Sequence, residues 1–219
     1  TDKKFIIIGN KNSVSCKEIF PLIMHNKMWS GKSGWGGGMW FETKNPKDVD
    51  RVVDGINMKN VSSVWFTNIE HGRRHEPLSL MTMADNLKFS KHKDIREKGY
   101  HKYDNYDAID VPFTDAIPSD YLDIMGVPVS FLEKYCPEQF EILGITLGNT
   151  VDYEMTTIYE NAIQHNKNGT TQGGSKVNTR AAILVQDVPI DTVYYTADNA
   201  DGYLLSIYPR ILIRKKVQQ

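Results

Sequence analysis

The run Lys3-Lys4-Phe5-Ile6-Ile7-Ile8-Gly9-Asn10 limits the possible folds more than any other segment. It is continuously apolar, with lysines on one side and Gly-Asn on the other. That pattern predicts a parallel strand covered on both faces. Such a strand needs strands beside it and helices above and below it. The next residues extend the pattern: Asn10-Lys11-Asn12-Ser13 reads as a polar turn. Ser15-Cys16-Lys17-Glu18 reads as a capping box, and Ile19, Phe20, Leu22, Ile23 and Met24 as the apolar face of a helix kinked at Pro21. Strand, turn, helix is the opening of a doubly wound α/β domain. A buried strand so near residue 1 makes the chain read as the later part of a larger domain, with that domain's chemistry expected upstream.

Further along, Met28–Ser30, Met39–Thr43 and Val61–Asn68 read as strands, the last alternating and rich in β formers. Asp54-Gly55 marks a turn. Gly31-Lys32-Ser33-Gly34-Trp35-Gly36-Gly37-Gly38 lacks the spacing of a phosphate loop and reads as a flexible loop with one exposed aromatic, Trp35. Residues 79–99 are partly helical in pattern, and Pro112, Pro118 and Pro128 favour an irregular path. Met155, Ile158, Tyr159, Ala162 and Ile163 fall at helical spacing, which predicts a helix over Asp152–Asn166 with Asp152 as its cap. A mobile Gly/Ser/Thr/Asn loop is expected over Asn166–Lys176. Strands follow at Ala181–Val185, Thr192–Ala197, Tyr203–Ile207 and Ile211–Arg214, with Asp198–Gly202 as a hairpin turn.

Composition excludes several classes. Hydrophobic residues make 40% and charged residues 24% of the 219, as in an ordinary globular chain. No apolar stretch reaches the ~20 residues that span a bilayer. Two distant cysteines, Cys16 and Cys136, argue for a reducing, cytoplasmic setting and against a disulfide scaffold or zinc site. The net charge of -1 hides local basic clusters at Lys88–Lys102 and Arg210–Lys216. Such clusters hold phosphates or form a solvated surface.

A self-contained active site is missing. There is no G-x-S-x-G elbow and no H-E-x-x-H. His71 and His75 stand at i, i+4, but Gly72 and the preceding strand argue against the helix a metal pair would need, so no metal is expected. No catalytic or cofactor-binding residue can be named. What remains is a set of aromatics beside basic and amide groups: Trp35, Trp40, Tyr103 and Tyr106. That combination suits stacking on bases with phosphates nearby. Trp65 and Phe66 read as strand core.

Several segments resemble the EcoRI-type adenine-specific DNA methyltransferases. They are Asp2–Ile8, Lys17–Phe20, Asn26–Trp29, Trp65–Asn68, Lys102–Ile109, Met125–Pro128, Pro137–Glu141 and Arg210–Ile213, in family order and across most of the chain. The resemblance is thinnest over residues 31–60 and 145–200. It implies a Rossmann-like enzyme that transfers a methyl group from S-adenosylmethionine to adenine N6 in a short duplex site of a restriction-modification system. Such an enzyme flips the adenine from the stack. The family's Asn-Pro-Pro-Phe motif, which receives the flipped base, does not occur here. Nor does a candidate cofactor-binding strand. The chain alone is therefore expected to be inactive, with S-adenosylmethionine bound mainly by an upstream part. Its expected partners are double-stranded DNA and that N-terminal half, and no membrane.

The resemblance implies an α/β fold in which residues 1–70 complete the methyltransferase sheet and residues 71–219 form an α+β target-recognition region. Asn10 and Asn12, at the carboxyl end of the first strand, would stand at the active-site rim with Trp35 and Trp40. Arg73, Arg74, Lys102 and Arg210 are the candidates for DNA contacts. Asn105 matches the residue type that reads an adenine edge, although its turn-like Asp-Asn stretch suits a structural role as well. The alternative function is a non-catalytic DNA-binding or target-recognition module.

Overall fold

The computed structural model describes residues 3–32, 35, 38–147 and 154–217. Four residues of the glycine loop (33, 34, 36 and 37) and the expected cap Asp152 lie outside them. The chain divides into two compact units, Thr1–Glu76 with Leu132–Tyr135, and Pro77–Phe131 with Cys136–Gln219.

Among the described residues the first unit holds six strands: β1 (Ile6–Asn10), β2 (Trp29–Ser30), β3 (Met39–Glu42), β4 (Arg51–Val53), β5 (Ile56–Val61) and β6 (Ser63–Thr67). They form two three-stranded sheets, ordered β1-β6-β2 and β3-β5-β4. The opening strand departs from expectation. β1 runs antiparallel to β6, with Ile6 opposite Thr67 and Asn10 opposite Ser63. It lies at the sheet edge, and Ile6, Ile7 and Ile8 are 63%, 52% and 48% exposed. Its apolar residues on both faces fit a covered strand, but among the described residues they stay about half exposed or more.

The following helix is also shorter than predicted, only α1 (Phe20–Met24). Pro21 stands in its first turn, where a missing N–H costs nothing, so it starts the helix and does not kink it. Ser15 ends a 3-10 turn over Lys11–Ser15, and its hydroxyl donates back to the Asn12 carbonyl, so it does not cap the helix. Core residues Val14, Phe20, Ile23, Val64 and Phe66 are buried. The β4–β5 hairpin turns through Asp54 and Gly55, both at positive φ (50° and 80°), the two-residue turn that matches strand twist.

Among the described residues the second unit holds α2 (Met83–Phe89), α3 (Lys93–Lys98) and nine strands. β7 (Ile109–Asp110), β8 (Met125–Pro128) and β9 (Phe140–Ile145) come first, then β10 (Ile163–His165), β11 (Thr171–Gly173) and β12 (Ala182–Val185). β13 (Tyr194–Thr196), β14 (Tyr203–Ser206) and β15 (Arg210–Lys215) close the chain. One sheet is ordered β7-β8-β15-β9 and the other β11-β10-β13-β14-β12. A register shift between Leu212 and Ile213 accompanies three consecutive fully buried residues, Ile211, Leu212 and Ile213. Among the described residues, β7 with β8 is the one parallel pair. The fold is thus mixed α/β, with few helices and several small sheets.

The helix expected over Asp152–Asn166 does not form in the described part. Residues 154–162 run irregularly into β10. Distant acceptors, one backbone carbonyl and two Asn side chains, take over the backbone donors that a helix would use. Thr156 N–H donates to the Asn105 carbonyl, Tyr159 N–H to Asn178 Oδ1 and Glu160 N–H to Asn199 Oδ1. Asn161 sits at φ 49°, outside the helical range. No helix among the described residues is long and apolar enough to cross a membrane.

Candidate nucleic-acid interface

In the first unit, Asn10 Oδ1 accepts from the Asn12 N–H at 2.9 Å, so these two residues cap the turn after β1. Trp35, expected as an exposed aromatic, is 6% exposed. A ring of that apolar area leaves water readily, and its indole nitrogen meets no acceptor among the described residues. Trp40 is 37% exposed on β3, with the Arg51 guanidinium 3.6 Å over its ring. That pair offers an open aromatic and a cation side by side.

Arg73 donates to Glu133 at 2.7 Å and to the Lys32 carbonyl at 2.6 Å. Arg74 is buried over the Trp29 ring, 3.9 Å from its centroid, and donates to Asn26 Oδ1. His71 bonds the Ser30 carbonyl and His75 bonds Glu70, so the two imidazoles serve different partners. Beside β1 lies a cavity of about 420 Å³, lined chiefly by Ile6, Trp65, Ile69 and the Gly31 backbone.

In the second unit, Lys102 pairs with Asp107 at the surface. Asn105 is wholly buried. It donates to the Arg180 carbonyl at 2.8 Å and accepts from the Ala182 N–H at 2.8 Å, which fixes the start of β12. Full burial removes it from base reading. Arg210 donates to Asp110 Oδ1 at 2.9 Å, and the Tyr103 hydroxyl donates to the same oxygen at 2.6 Å. Arg210 is thus held within the protein, at 13% side-chain exposure.

The phenols here are donors, not bases. Burial first, then Asp110, push the Tyr103 hydroxyl well above its ordinary range, against a smaller pull from Arg210. Burial and the bond to Asp104 do the same to Tyr159. Burial alone takes Tyr106 to about 12.

One group of residues escaped the sequence reading. Lys167, Lys176, Arg180 and Tyr208 line a cavity of about 370 Å³ on the five-stranded sheet, with Gln164 and Ser206. A signal was present: no carboxylate occurs between Glu160 and Asp187, while Lys167, Lys176 and Arg180 do. A loop reading of Asn166–Lys176 obscured it. The segment in fact contains β11 and the start of a 3-10 turn, Ser175–Thr179, which carries Lys176 and is closed by Arg180.

No solved structure matches the chain. The relatives it does match are methyltransferases. It is 39% identical over 153 residues to the Type II methyltransferase M.EcoRI of Escherichia coli, covering 67% of this chain and 44% of that one. It is 32% identical to M.MpnI of Mycoplasma pneumoniae, over 72% and 49%. It is 33% identical to M.MgeORF184P of Mycoplasma genitalium, over 65% and 44%. The chain therefore spans about half the length of these curated relatives. The model of one family, described as adenine-specific methyltransferase EcoRI, matches residues 1–216. The chain belongs to that family.

Proposed function

We propose that this chain is the part of a restriction-modification DNA methyltransferase that engages the duplex and completes the catalytic sheet. The reaction is transfer of a methyl group from S-adenosylmethionine to adenine N6. The observation that carries this reading is the family match over residues 1–216, joined to relatives about twice as long.

The described residues do not fit a cofactor cradle. Asn10, best placed by resemblance with Asn12, spends its side-chain oxygen on the Asn12 N–H in a turn, and the cavity beside β1 exposes mainly apolar surface, although Lys32, Thr67, Glu70 and His71 line it beside Ile6, Trp65 and Ile69. In this reading the methyl donor is held by the remainder of the longer protein. The exposed isoleucines of β1 suit burial against that remainder. In this reading residues 1–70 complete a Rossmann-like sheet and residues 71–219 form the target-recognition region. Free Cys16 and Cys136 suit a cytoplasmic setting.

For DNA contact the exposed groups are the stronger choices: Lys102, Trp40 with Arg51, and the outer face of Arg73. Arg74, Asn105 and Arg210 act from behind, as scaffold. The test is methyl incorporation into duplex DNA by the chain alone and by the longer protein with its upstream half. N6-methyladenine formed only by the longer protein supports the reading. Methylation at another base atom, or none with the upstream half present, sinks it. Duplex binding without methylation would leave a non-catalytic DNA-binding module.

A further inference from the structure

The cavity on the five-stranded sheet concentrates positive charge that has no counter-ion. Several other cations have one: Arg73 with Glu133, Arg210 with Asp110, Arg214 with Glu141, Lys102 with Asp107. Among the described residues, Lys167, Lys176 and Arg180 have none. The lining holds no carboxylate at all. Arg180 Nε and Ser206 Oγ are both buried there without a hydrogen-bond partner. A buried donor left unpaired is unfavourable, and more so when charged, so an acceptor is expected to meet these groups in the working protein.

The framework around them is rigid. Asn105 pins the Arg180 carbonyl and the Ala182 N–H. Ser206 stands opposite Ala182 across the β12–β14 ladder. The Tyr195 hydroxyl donates to Gln164 Oε1 at 2.9 Å, which fixes the wall on β13 and β10. Tyr208, just beyond β14, is 80% exposed at the mouth. Cations from two segments, the Ser206 hydroxyl and an open aromatic ring line one concavity. A guanidinium with neighbouring lysines and a hydroxyl is the chemistry of phosphate binding. An adjacent ring suits the base or sugar next to it.

We propose that Arg180, Lys176, Lys167 and Ser206 form a phosphate site that grips one phosphodiester of a DNA strand, with Tyr208 against the neighbouring nucleotide. This rests on the DNA-methyltransferase reading but names a contact that reading does not need. The phosphate ester could equally belong to a free nucleotide, so the test carries both arms.

Binding of labelled duplex DNA by the 219-residue chain is measured across salt for wild type, Lys176→Gln and Arg180→Gln. Lys17→Gln, at an exposed lysine paired with Glu18, serves as control. Lys176 is exposed, so its variant keeps the fold even if Arg180→Gln does not. The expected result is a loss of affinity of about tenfold or more for each cavity variant, with the salt slope reduced by about one and the control unchanged. dAMP binding is followed in parallel by tyrosine fluorescence. Cavity variants that bind duplex as wild type does overturn the proposal. So does saturable dAMP binding abolished by Arg180→Gln while duplex affinity is unchanged, which would make this a free-nucleotide site. Wild-type chain that binds no duplex also overturns it. The methylation assay on the longer protein then decides the parent reading separately.

Discussion

At the scale of single residues, burial decides whether a polar side chain serves the fold or a ligand. Asn105 has the side chain that reads adenine, but its amide is spent on Arg180 and Ala182. Asn105→Ala leaves a buried carbonyl and a buried N–H unsatisfied, at about 1–3 kcal/mol each. Urea unfolding should show that loss. A base-reading role would instead leave stability intact and relax the DNA target. Gly126 makes a comparable case. A Cβ there would overlap the Tyr103 hydroxyl, which is itself held by Asp110. Gly126→Ala should cost roughly 1–3 kcal/mol through overpacking, seen as a lower urea midpoint with an unchanged slope. The sequence names such residues by type, but only packing assigns their partners. Arg210 shows the same gap. It looks like a free cation in a basic tail, and it is paired with a carboxylate 100 residues earlier.

At the scale of elements, local pattern located eight of the fifteen strands among the described residues and misjudged several segments, two of them because long-range partners prevail. The closing strands follow from periodicity, the Asp54-Gly55 turn is the one the β4–β5 hairpin uses, and residues 79–99, only partly helical in pattern, hold α2 and α3. The helical spacing around Tyr159 does not yield a helix, because Asn178 and Asn199 supply acceptors from distant loops. Nothing in a window of fifteen residues could signal that. The opening strand is the other case. Its composition matches a strand covered on both sides, yet here it forms an exposed antiparallel edge. Both facts fit a strand whose cover is supplied elsewhere. Ile7→Glu should therefore change the stability of this chain by less than about 0.5 kcal/mol. In the longer protein the same charge would be buried, and both melting temperature and methylation should fall. Equal tolerance in both contexts would show that β1 stays exposed.

At the scale of the whole molecule, titration should report on the second unit. Asp115 is the acid-side group. Burial raises its pKa, but bonds from Lys91 and His92 outweigh that and hold it below the usual carboxylate range. Its stabilisation is present above the unfolded carboxylate pKa of about 3.9 and fades as pH falls through the lower folded value. On the alkaline side burial raises several phenols, Tyr100 and Tyr106 among them, and the two that also donate to carboxylates are Tyr103, to Asp110, and Tyr159, to Asp104. Both folded pKa values lie above the unfolded tyrosine value of about 10. Their contribution is complete below about pH 10 and is lost as pH rises toward the folded values. The second unit should therefore unfold steeply above pH 10, in step with tyrosinate absorbance. Tyr159→Phe separates the two phenols: it weakens the fold at neutral pH by the loss of one bond to a carboxylate, about 1.5–3 kcal/mol before solvent screening. It also flattens the alkaline decline, because one titrating group has gone. A variant with unchanged alkaline slope would mean that Tyr159 ionises in the folded protein as freely as in water, and that its bond to Asp104 contributes nothing to the second unit.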